Sequence, residues 1–348
     1  MKELKIYASL DVAKFIMAIL ILVGHTANEW AHTTGIWHHI LSCDFTVSTF
    51  FAISGFLFFC RTKQLEDREE RKKYYKKWSL RIGKMYLVWT LIYFIFILTN
   101  WIRKGVTVSN VLLWLMKCVT FSSYATIWFL PSLWVGVSIC FVLIESIENK
   151  RIVYFIIGVL WLIGVLMGAY GSIVMQNGVV SRVYEGYMFV FKTFRNGVFW
   201  GATYVLLGFI VANKEQIPSL VKSGLGVVVF QLLFVAEAVL MKKINPISST
   251  DMAIMMLPSV YFILLFLLNI DIKSNNFTVL LRKYSMLIFL GQRLFLTAIP
   301  SVWPKSYSVF IQSLPQIEIF LYFGLTTMAF AVIIELLSRR FRFFTYLM

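Results

Sequence analysis

Long uninterrupted runs of apolar residues, separated by short polar segments, dominate the pattern along this chain. The run from Ile152 to Met167, for example, contains no charged residue. A helix needs about 20 apolar residues to cross a bilayer, and the backbone amides of a span must pair within a helix or a closed barrel. Strands of a membrane barrel alternate polar and apolar side chains over about 10 residues, and these runs do not. The pattern therefore predicts membrane-spanning helices.

The spacing of these runs predicts an all-α, polytopic helical bundle with about ten transmembrane helices. The predicted spans are 8–27, 45–60, 80–99, 126–146, 152–170, 197–212, 223–241, 252–269, 284–299 and 316–337. A further apolar segment, 111–121, is short and contains Lys117, so we expect a re-entrant or interfacial helix there. No repeat or linker divides the chain, and residues 1–348 are predicted to form a single membrane domain.

The composition fits a membrane protein, and the placement of its charges predicts an orientation. Hydrophobic residues make up 59% of the chain and charged residues only 14%, whereas about 25% charge is typical of soluble domains. The net charge is +16, and the loops on the side of the N-terminus hold twenty Lys and Arg against nine on the opposite side. Because positive charge collects on cytoplasmic loops, we expect both termini in the cytoplasm. The basic excess then reflects topology, and no nucleic-acid partner is expected.

The first predicted span carries four polar groups that lipid does not tolerate without a partner or a function. Lys14 and His25 are eleven residues apart, which leaves about 20° of rotation and about 16 Å of rise between them. Asp11 and Glu29 each lie about 40° from His25 on the helix surface. One helix face is therefore expected to face a protein-lined or water-filled cavity. A purely structural network, with Lys14 reaching toward the cytoplasm, is the alternative reading.

Several segments together resemble a known family. They are Asp11–Lys14 with His25, Phe50–Leu57 (Phe-Phe-Ala-Ile-Ser-Gly-Phe-Leu), Lys76–Arg81, Trp128–Leu133 and Ser285–Gln292. The combination resembles the acyltransferase-3 family of membrane acyltransferases, whose first helix has an acid, a cation and then His, and whose second span ends Phe-Phe-x-x-Ser-Gly-Phe-Leu. Three positions depart from the family's frequent residues: Lys14 stands for Arg, Met85 for Pro and Gln292 for His.

The resemblance implies transfer of an acyl group, most often acetyl, from cytoplasmic acyl-CoA to a hydroxyl of a surface or lipid-linked polysaccharide. His25 is the expected base or acyl relay, since the unperturbed pKa of histidine lies near neutrality. Glu29, one turn above, is the candidate to orient it, and the alternative is a solvated acid at the mouth of the helix. Acyl-CoA is then a co-substrate, with no bound cofactor. Its phosphates are expected to bind the cations gathered at the inner ends of spans one and three: Lys14, Lys77, Arg81 and Lys84.

Further positions are candidates for lining the substrate path, each with a structural alternative. They are Asp11, Ser54, Trp128, Gln292 and Arg293. Ser54 with Gly55 also suits close helix packing, Trp128 suits an interfacial belt, and Arg293 suits an ion pair, for example with Glu237. No metal site is expected, because the loop residues His32, His38, His39, Cys43 and Asp44 match no zinc spacing.

Two other functions fit a bundle of this kind. A transporter or flippase would use the charged cavity to bind an anionic or sugar-like substrate, although the paired repeats of many transporters are not evident. A sensor or assembly subunit would be expected to carry a soluble output domain, which is not found. The bacterial cytoplasmic membrane is the expected location. The sequence does not identify the acceptor glycan or the acyl group. It is also compatible both with direct transfer and with transfer through a covalent acyl-histidine.

Overall fold

The computed structural model describes residues 6–30, 45–244, 250 and 252–348, and their regular structure is helical throughout. The helices are α1 Ala8–Trp30, α2 Phe45–Thr62, α3 Arg68–Lys104, α4 Val108–Thr120, α5 Phe129–Ser146, α6 Lys150–Gly168, α7 Gly171–Val174, α8 Gly178–Phe191, α9 Ala202–Ala212, α10 Leu220–Ile244, α11 Met256–Leu268, α12 Asn276–Arg293, α13 Pro304–Ser313 and α14 Gln316–Arg340. Two 3₁₀ turns, Thr126–Trp128 and Arg342–Leu347, and two π turns, Gly197–Gly201 and Leu294–Ala298, complete them. The predicted all-α class is confirmed for these residues.

Seven helices within the described residues are long and apolar enough to cross a membrane. They are Ala8–Thr26, Phe45–Thr62, Arg68–Lys104, Thr126–Ser146, Lys150–Gly168, Leu220–Ile244 and Ile317–Arg340. Each coincides with a predicted span, because a continuous apolar run of about 20 residues has no other way to satisfy its backbone in lipid. The chain is therefore a multi-pass membrane protein.

Shorter apolar helices account for other predicted segments. Gly197–Ala212 and Met256–Leu268 coincide with the predicted spans 197–212 and 252–269, and the predicted span 284–299 falls on α12 and the π turn that follows it. Helix α4 has no buried residue, in keeping with the interfacial helix expected at 111–121. The total of about ten spans and the cytoplasmic termini stay predictions.

The described residues divide into two compact units. One comprises those within 1–10, 44–80 and 131–273, and the other those within 11–43, 81–130 and 274–348. Helices α1 and α3 each contribute residues to both units. That the whole chain acts as one domain stays a prediction.

In the first unit, glycines let α2 and α9 approach until their backbones touch. A Cβ added to Gly55 would lie 2.5 Å from the carbonyl oxygen of Val205, and one added to Gly208 would collide with backbone atoms of Ala52 and Phe56. Small residues allow such contacts in membranes, where van der Waals packing replaces the hydrophobic effect as the driving force. The predicted packing role of the Ser54–Gly55 pair is confirmed for Gly55.

In the second unit, α12 packs against α3 and α14. A Cβ on Gly291 would lie 2.8 Å from the ring of Phe330 and 3.4 Å from that of Trp89. The Tyr93 hydroxyl donates to the Leu290 carbonyl oxygen at 2.7 Å, which anchors α12 to α3. These contacts hold the candidate site, because α12 carries two of its polar residues, Arg282 and Gln292.

Candidate active site

Polar contacts within the second unit join α1 to α12 at two levels. Near the start of both helices, Arg282 binds Asp11. Toward the end of both, Gln292 contacts His25. Since the early residues pair with each other and the late residues do likewise, the two helices run parallel. Spans one and nine of the predicted topology would also run parallel, because an even number of crossings separates two odd-numbered spans.

Asp11, Lys14 and Arg282 form a cluster that we call the inner cluster, after the side on which the predicted topology places it. The Arg282 guanidinium donates to both carboxylate oxygens of Asp11, at 2.9 and 2.6 Å, and the Lys14 ammonium lies 3.3 Å from the same carboxylate. The Asp11 side chain is only 3% exposed and Lys14 14%, but Arg282 is 48% exposed. Two cations against one carboxylate leave the cluster with one excess positive charge.

The other predicted donor-binding cations differ in their surroundings. Arg81 and Lys84 are exposed residues of α3 within the second unit. Arg81 lies close enough to Lys14 for their charges to repel, and the Lys84 ammonium lies 5.6 Å from the centre of the Tyr346 ring. Lys77 is exposed on the part of α3 that belongs to the first unit. Arg81 therefore extends the positive surface of the inner cluster.

His25 and Gln292 form the outer pair. Nδ1 of His25 lies 3.0 Å from Oε1 of Gln292, and the side-chain Nε2 of Gln292 donates to the carbonyl oxygen of Phe289 at 3.0 Å. Gln292 is fully buried at 0% exposure, whereas His25 is half-buried. The imidazole is thus held by a buried neutral amide about 16 Å along α1 from Lys14.

Two stacked tyrosines lie near Arg293, the residue that follows Gln292. Tyr93 and Tyr124 stack with ring centres 4.3 Å apart, and the charge of Arg293 acts on both hydroxyls. The Tyr124 hydroxyl lies 3.0 Å from Oγ1 of Thr297, in the π turn that begins after Arg293. Such widened turns often occur at functional sites.

The remaining predicted substrate-lining residues lie in different units. Ser54 is half-buried on α2 of the first unit. Trp128 belongs to the second unit and is 6% exposed, in a 3₁₀ turn whose Thr126 hydroxyl reaches the Leu290 carbonyl oxygen at 3.5 Å. A belt tryptophan would face the lipid interface, so the burial of Trp128 argues against that alternative.

Some of the predicted residues lie away from this site, and others lie outside the described residues. Glu29 lies in the last turn of α1, but its side chain is outside the described residues, as are His32, His38, His39, Cys43 and Asp44. Glu237, suggested as a partner of Arg293, is engaged within the first unit. Its carboxylate accepts from the Tyr170 hydroxyl at 2.6 Å and from the backbone N–H groups of Ile254 and Met255 at 2.7 Å each. It therefore caps the chain ahead of α11.

Sequence reasoning missed three residues of this region. The sequence predicts for Arg282 only a contribution to the positive charge on the side of the N-terminus, and its position near the start of a span is the signal that points to a further role. Tyr93 and Tyr124 gave no signal, because membrane helices and their ends are rich in tyrosine.

A comparison with protein families fits this arrangement. A model of the acyltransferase-3 type, described as an acyltransferase domain, matches residues 7–336. The chain belongs to this family. The matched region includes the inner cluster, the outer pair and the tyrosine pair, so the resemblance seen in the motifs extends over nearly the whole chain.

A curated relative shares part of this sequence. An amino-acid racemase of Enterococcus faecalis is 23% identical over 213 residues, which cover 60% of this chain and 29% of that protein. The chain thus spans less than a third of the length of this relative. No solved structure matches the chain.

Proposed function

We propose that this chain is an integral membrane O-acyltransferase. It moves an acyl group, in the simplest case acetyl, from cytoplasmic acetyl-CoA to a hydroxyl of a cell-surface or lipid-linked polysaccharide. The observation that carries the proposal is the pairing of α1 with α12 in a member of this family. One end of the helix pair presents the cationic inner cluster, and the other presents an imidazole bonded to a buried amide.

His25 supplies the chemistry of the proposed reaction. Its Nε2 accepts the proton of the acceptor hydroxyl while the hydroxyl oxygen attacks the thioester carbonyl carbon. The carbon–sulfur bond then breaks, and the CoA thiolate takes the proton from the imidazolium, so the products are an ester and CoA thiol. In an acyl relay, Nε2 attacks the thioester first and the CoA thiolate leaves. The acceptor hydroxyl then attacks the acyl-imidazole, its oxygen takes the acyl group, Nε2 is released and the hydroxyl proton passes to the thiolate.

The inner cluster is the proposed binding site for the anionic part of the donor. Coenzyme A carries several phosphate charges, and Arg binds phosphate through paired N–H groups. Lys14 and Arg282 supply cations at the cluster, and Arg81 and Lys84 of the same unit add exposed positive charge. The rise of about 16 Å from Lys14 to His25 is comparable with an extended pantetheine arm. A donor anchored at the cluster would thereby present its acyl carbon near His25.

The proposed topology follows from this direction of transfer. With the N-terminus in the cytoplasm, α1 and α12 both start on the side where acyl-CoA is present. The parallel course of the two helices supports this arrangement, in which the outer pair lies nearer the acceptor. We place the protein in the cytoplasmic membrane of a bacterium, with lipid, acyl-CoA and glycan as its partners and no nucleic acid.

Transfer of labelled acetyl groups tests the proposal. Inverted membrane vesicles are prepared from source cells that lack the gene and carry it again on a plasmid, and [¹⁴C]acetyl-CoA is added outside. We expect label in the extracted glycan that is released by mild alkali, as an ester is. Vesicles with His25→Ala should show no such label. Equal labelling in both would overturn the proposal.

The transporter or flippase reading predicts a different result in the same vesicles. Label would then enter the vesicle lumen or stay soluble without becoming alkali-labile glycan ester. Gas chromatography of the alkali-released acid identifies the acyl group, and repeating the assay with succinyl-CoA separates acetyl from succinyl transfer.

A further inference from the structure

The buried amide of Gln292 has its two ends fixed by different partners. On one side, Nε2 faces the backbone carbonyl oxygen of Phe289 at 3.0 Å. On the other, Oε1 faces Nδ1 of His25 at 3.0 Å. A carbonyl oxygen can only accept a hydrogen bond, so the NH₂ group of Gln292 has to point to Phe289. The reverse amide orientation would place two oxygens against each other.

This orientation determines which nitrogen of His25 carries the hydrogen. Oε1 of an amide is an acceptor only, so the hydrogen bond requires a proton on Nδ1. A neutral imidazole has one N–H, and the other nitrogen carries the lone pair. In the neutral state the basic nitrogen of His25 is therefore Nε2.

We propose that Gln292 is a positioning residue that holds neutral His25 in its Nδ1-protonated tautomer and so makes Nε2 the nitrogen that reacts. This inference rests on the proposed function for its catalytic meaning. An incorrect tautomer removes the lone pair from the reacting position even where the geometry is intact, and in other enzymes that use histidine this is costly. Complete burial of Gln292 strengthens the restraint, because no water competes for the amide.

The tautomer can be observed without any assay of transfer. The chain has four histidines, so replacing His32, His38 and His39 with Gln leaves His25 as the single imidazole. In protein labelled with ¹⁵N-histidine and embedded in lipid, solid-state NMR distinguishes protonated from unprotonated ring nitrogens. We expect one neutral form, with the hydrogen on Nδ1. A spectrum with the hydrogen on Nε2 would overturn the proposal.

Two variants separate positioning from simple packing. Gln292→Met keeps the length and removes the acceptor, so a mixture of tautomers should appear. The kcat of acetyl transfer should then fall by up to about 100-fold, a part of what general base catalysis contributes, with the KM for acetyl-CoA nearly unchanged. Gln292→Glu, with its carboxyl kept protonated by burial, has an acceptor oxygen for Nδ1 and an O–H for the Phe289 carbonyl oxygen, so it should retain the Nδ1 hydrogen and most of the kcat. As a matched control, Gln231→Met on α10 should change neither.

The outcomes distinguish this inference from the function on which it rests. A single Nδ1-protonated form that persists in Gln292→Met, with unchanged kcat, would overturn the positioning role while wild-type transfer stands. If wild-type protein shows the expected tautomer and Gln292→Met loses it, but no acetyl is transferred, the assignment of the tautomer is supported and the proposed function is overturned. Equal losses of kcat and of thermal stability in Gln292→Met and Gln292→Glu would show a packing residue and reject the proposal.

Discussion

His25 is the residue on which the proposed chemistry depends. Replacing it with Ala removes both the base and the relay nucleophile, and general acid–base catalysis contributes roughly 10²- to 10⁴-fold to rate. We expect kcat for acetyl transfer to fall by about that factor. Binding of acetyl-CoA, measured by isothermal titration calorimetry in nanodiscs, should stay unchanged because the proposed phosphate contacts lie about 16 Å away.

The neighbouring Thr26 is the control for His25. Its hydroxyl donates to the backbone carbonyls of Leu22 and Val23 within its own helix. Thr26→Ala removes neither a base nor a nucleophile of the proposed reaction and should transfer acetyl at close to the wild-type rate. Retained transfer in His25→Ala would remove His25 from the mechanism, whatever the effect on binding.

Arg282 is expected to act on donor binding and not on the chemical step. A hydrogen bond to a charged group contributes about 1.5–3 kcal/mol, so Arg282→Ala should raise the KM for acetyl-CoA by about 10-fold or more. The kcat should change little, as expected when ground state and transition state lose the same interaction. Steady-state kinetics with varied acetyl-CoA measures both parameters.

Lys104, a cation at the C-terminal end of α3, provides the control for Arg282. Lys104 is exposed and lies on the side opposite to the inner cluster in the predicted topology. Lys104→Ala should leave the KM unchanged. If Arg282→Ala and Lys104→Ala have the same KM, the inner cluster is not the donor site.

Individual residues of the site could be selected from the sequence, but their partners could not. Asp11, Lys14, His25 and Gln292 were singled out because charge and imidazole are costly in lipid and because the motifs resemble a family. The contact of His25 with Gln292 joins residues 267 positions apart. Helix periodicity describes the faces of one helix and contains no information on which distant helix a face meets.

At the level of elements, the contact between α2 and α9 depends on glycine. A side chain at Gly208 would collide with the backbone of Ala52 and Phe56, so Gly208→Ala must push the helices apart. Overpacking of this kind costs about 1–3 kcal/mol. We expect a lower thermal unfolding midpoint in detergent, followed by intrinsic tryptophan fluorescence.

Gly158 on α6 provides the control for Gly208, because a side chain added there meets no neighbouring atom. An added Cβ there has no neighbour within 4 Å, and Ala is favoured over Gly in a helix by about 0.5–1 kcal/mol. Gly158→Ala should therefore leave the midpoint unchanged or raise it. Equal effects of the two substitutions would show that close backbone contact does not stabilise the α2–α9 pair.

Hydropathy predicts the positions of the long helices. It does not decide whether the short apolar helices cross the membrane. The seven long helices match predicted spans because about 20 apolar residues have few alternatives in lipid. Met256–Leu268 and Gly197–Ala212 are too short for that argument, and the polar residues Arg282, Lys283 and Arg293 lower the apolar character of α12. The extension of α3 back to Arg68 joins a basic segment to a span, a continuity that hydropathy does not report.

For the whole molecule, the predicted orientation places the two ends of α3 on opposite sides of the membrane. This helix has 37 residues, or about 55 Å of length, and the hydrocarbon core of a bilayer is about 30 Å thick. If the N-terminus is cytoplasmic, the third span starts inside and ends outside. Lys72 then lies in the cytoplasm and Lys104 on the outer face.

Single cysteines at these two exposed positions test that orientation. In a chain whose Cys43, Cys60, Cys118 and Cys140 are replaced by Ser, a membrane-impermeant maleimide should label Lys104→Cys in intact cells. It should label Lys72→Cys only after the cells are opened, and a permeant maleimide should label both in either case. The reversed labelling pattern would show that the bundle has the opposite orientation in the membrane. The inner cluster would then face away from cytoplasmic acyl-CoA, and the proposed path of the acyl group from Lys14 to His25 would lose its direction.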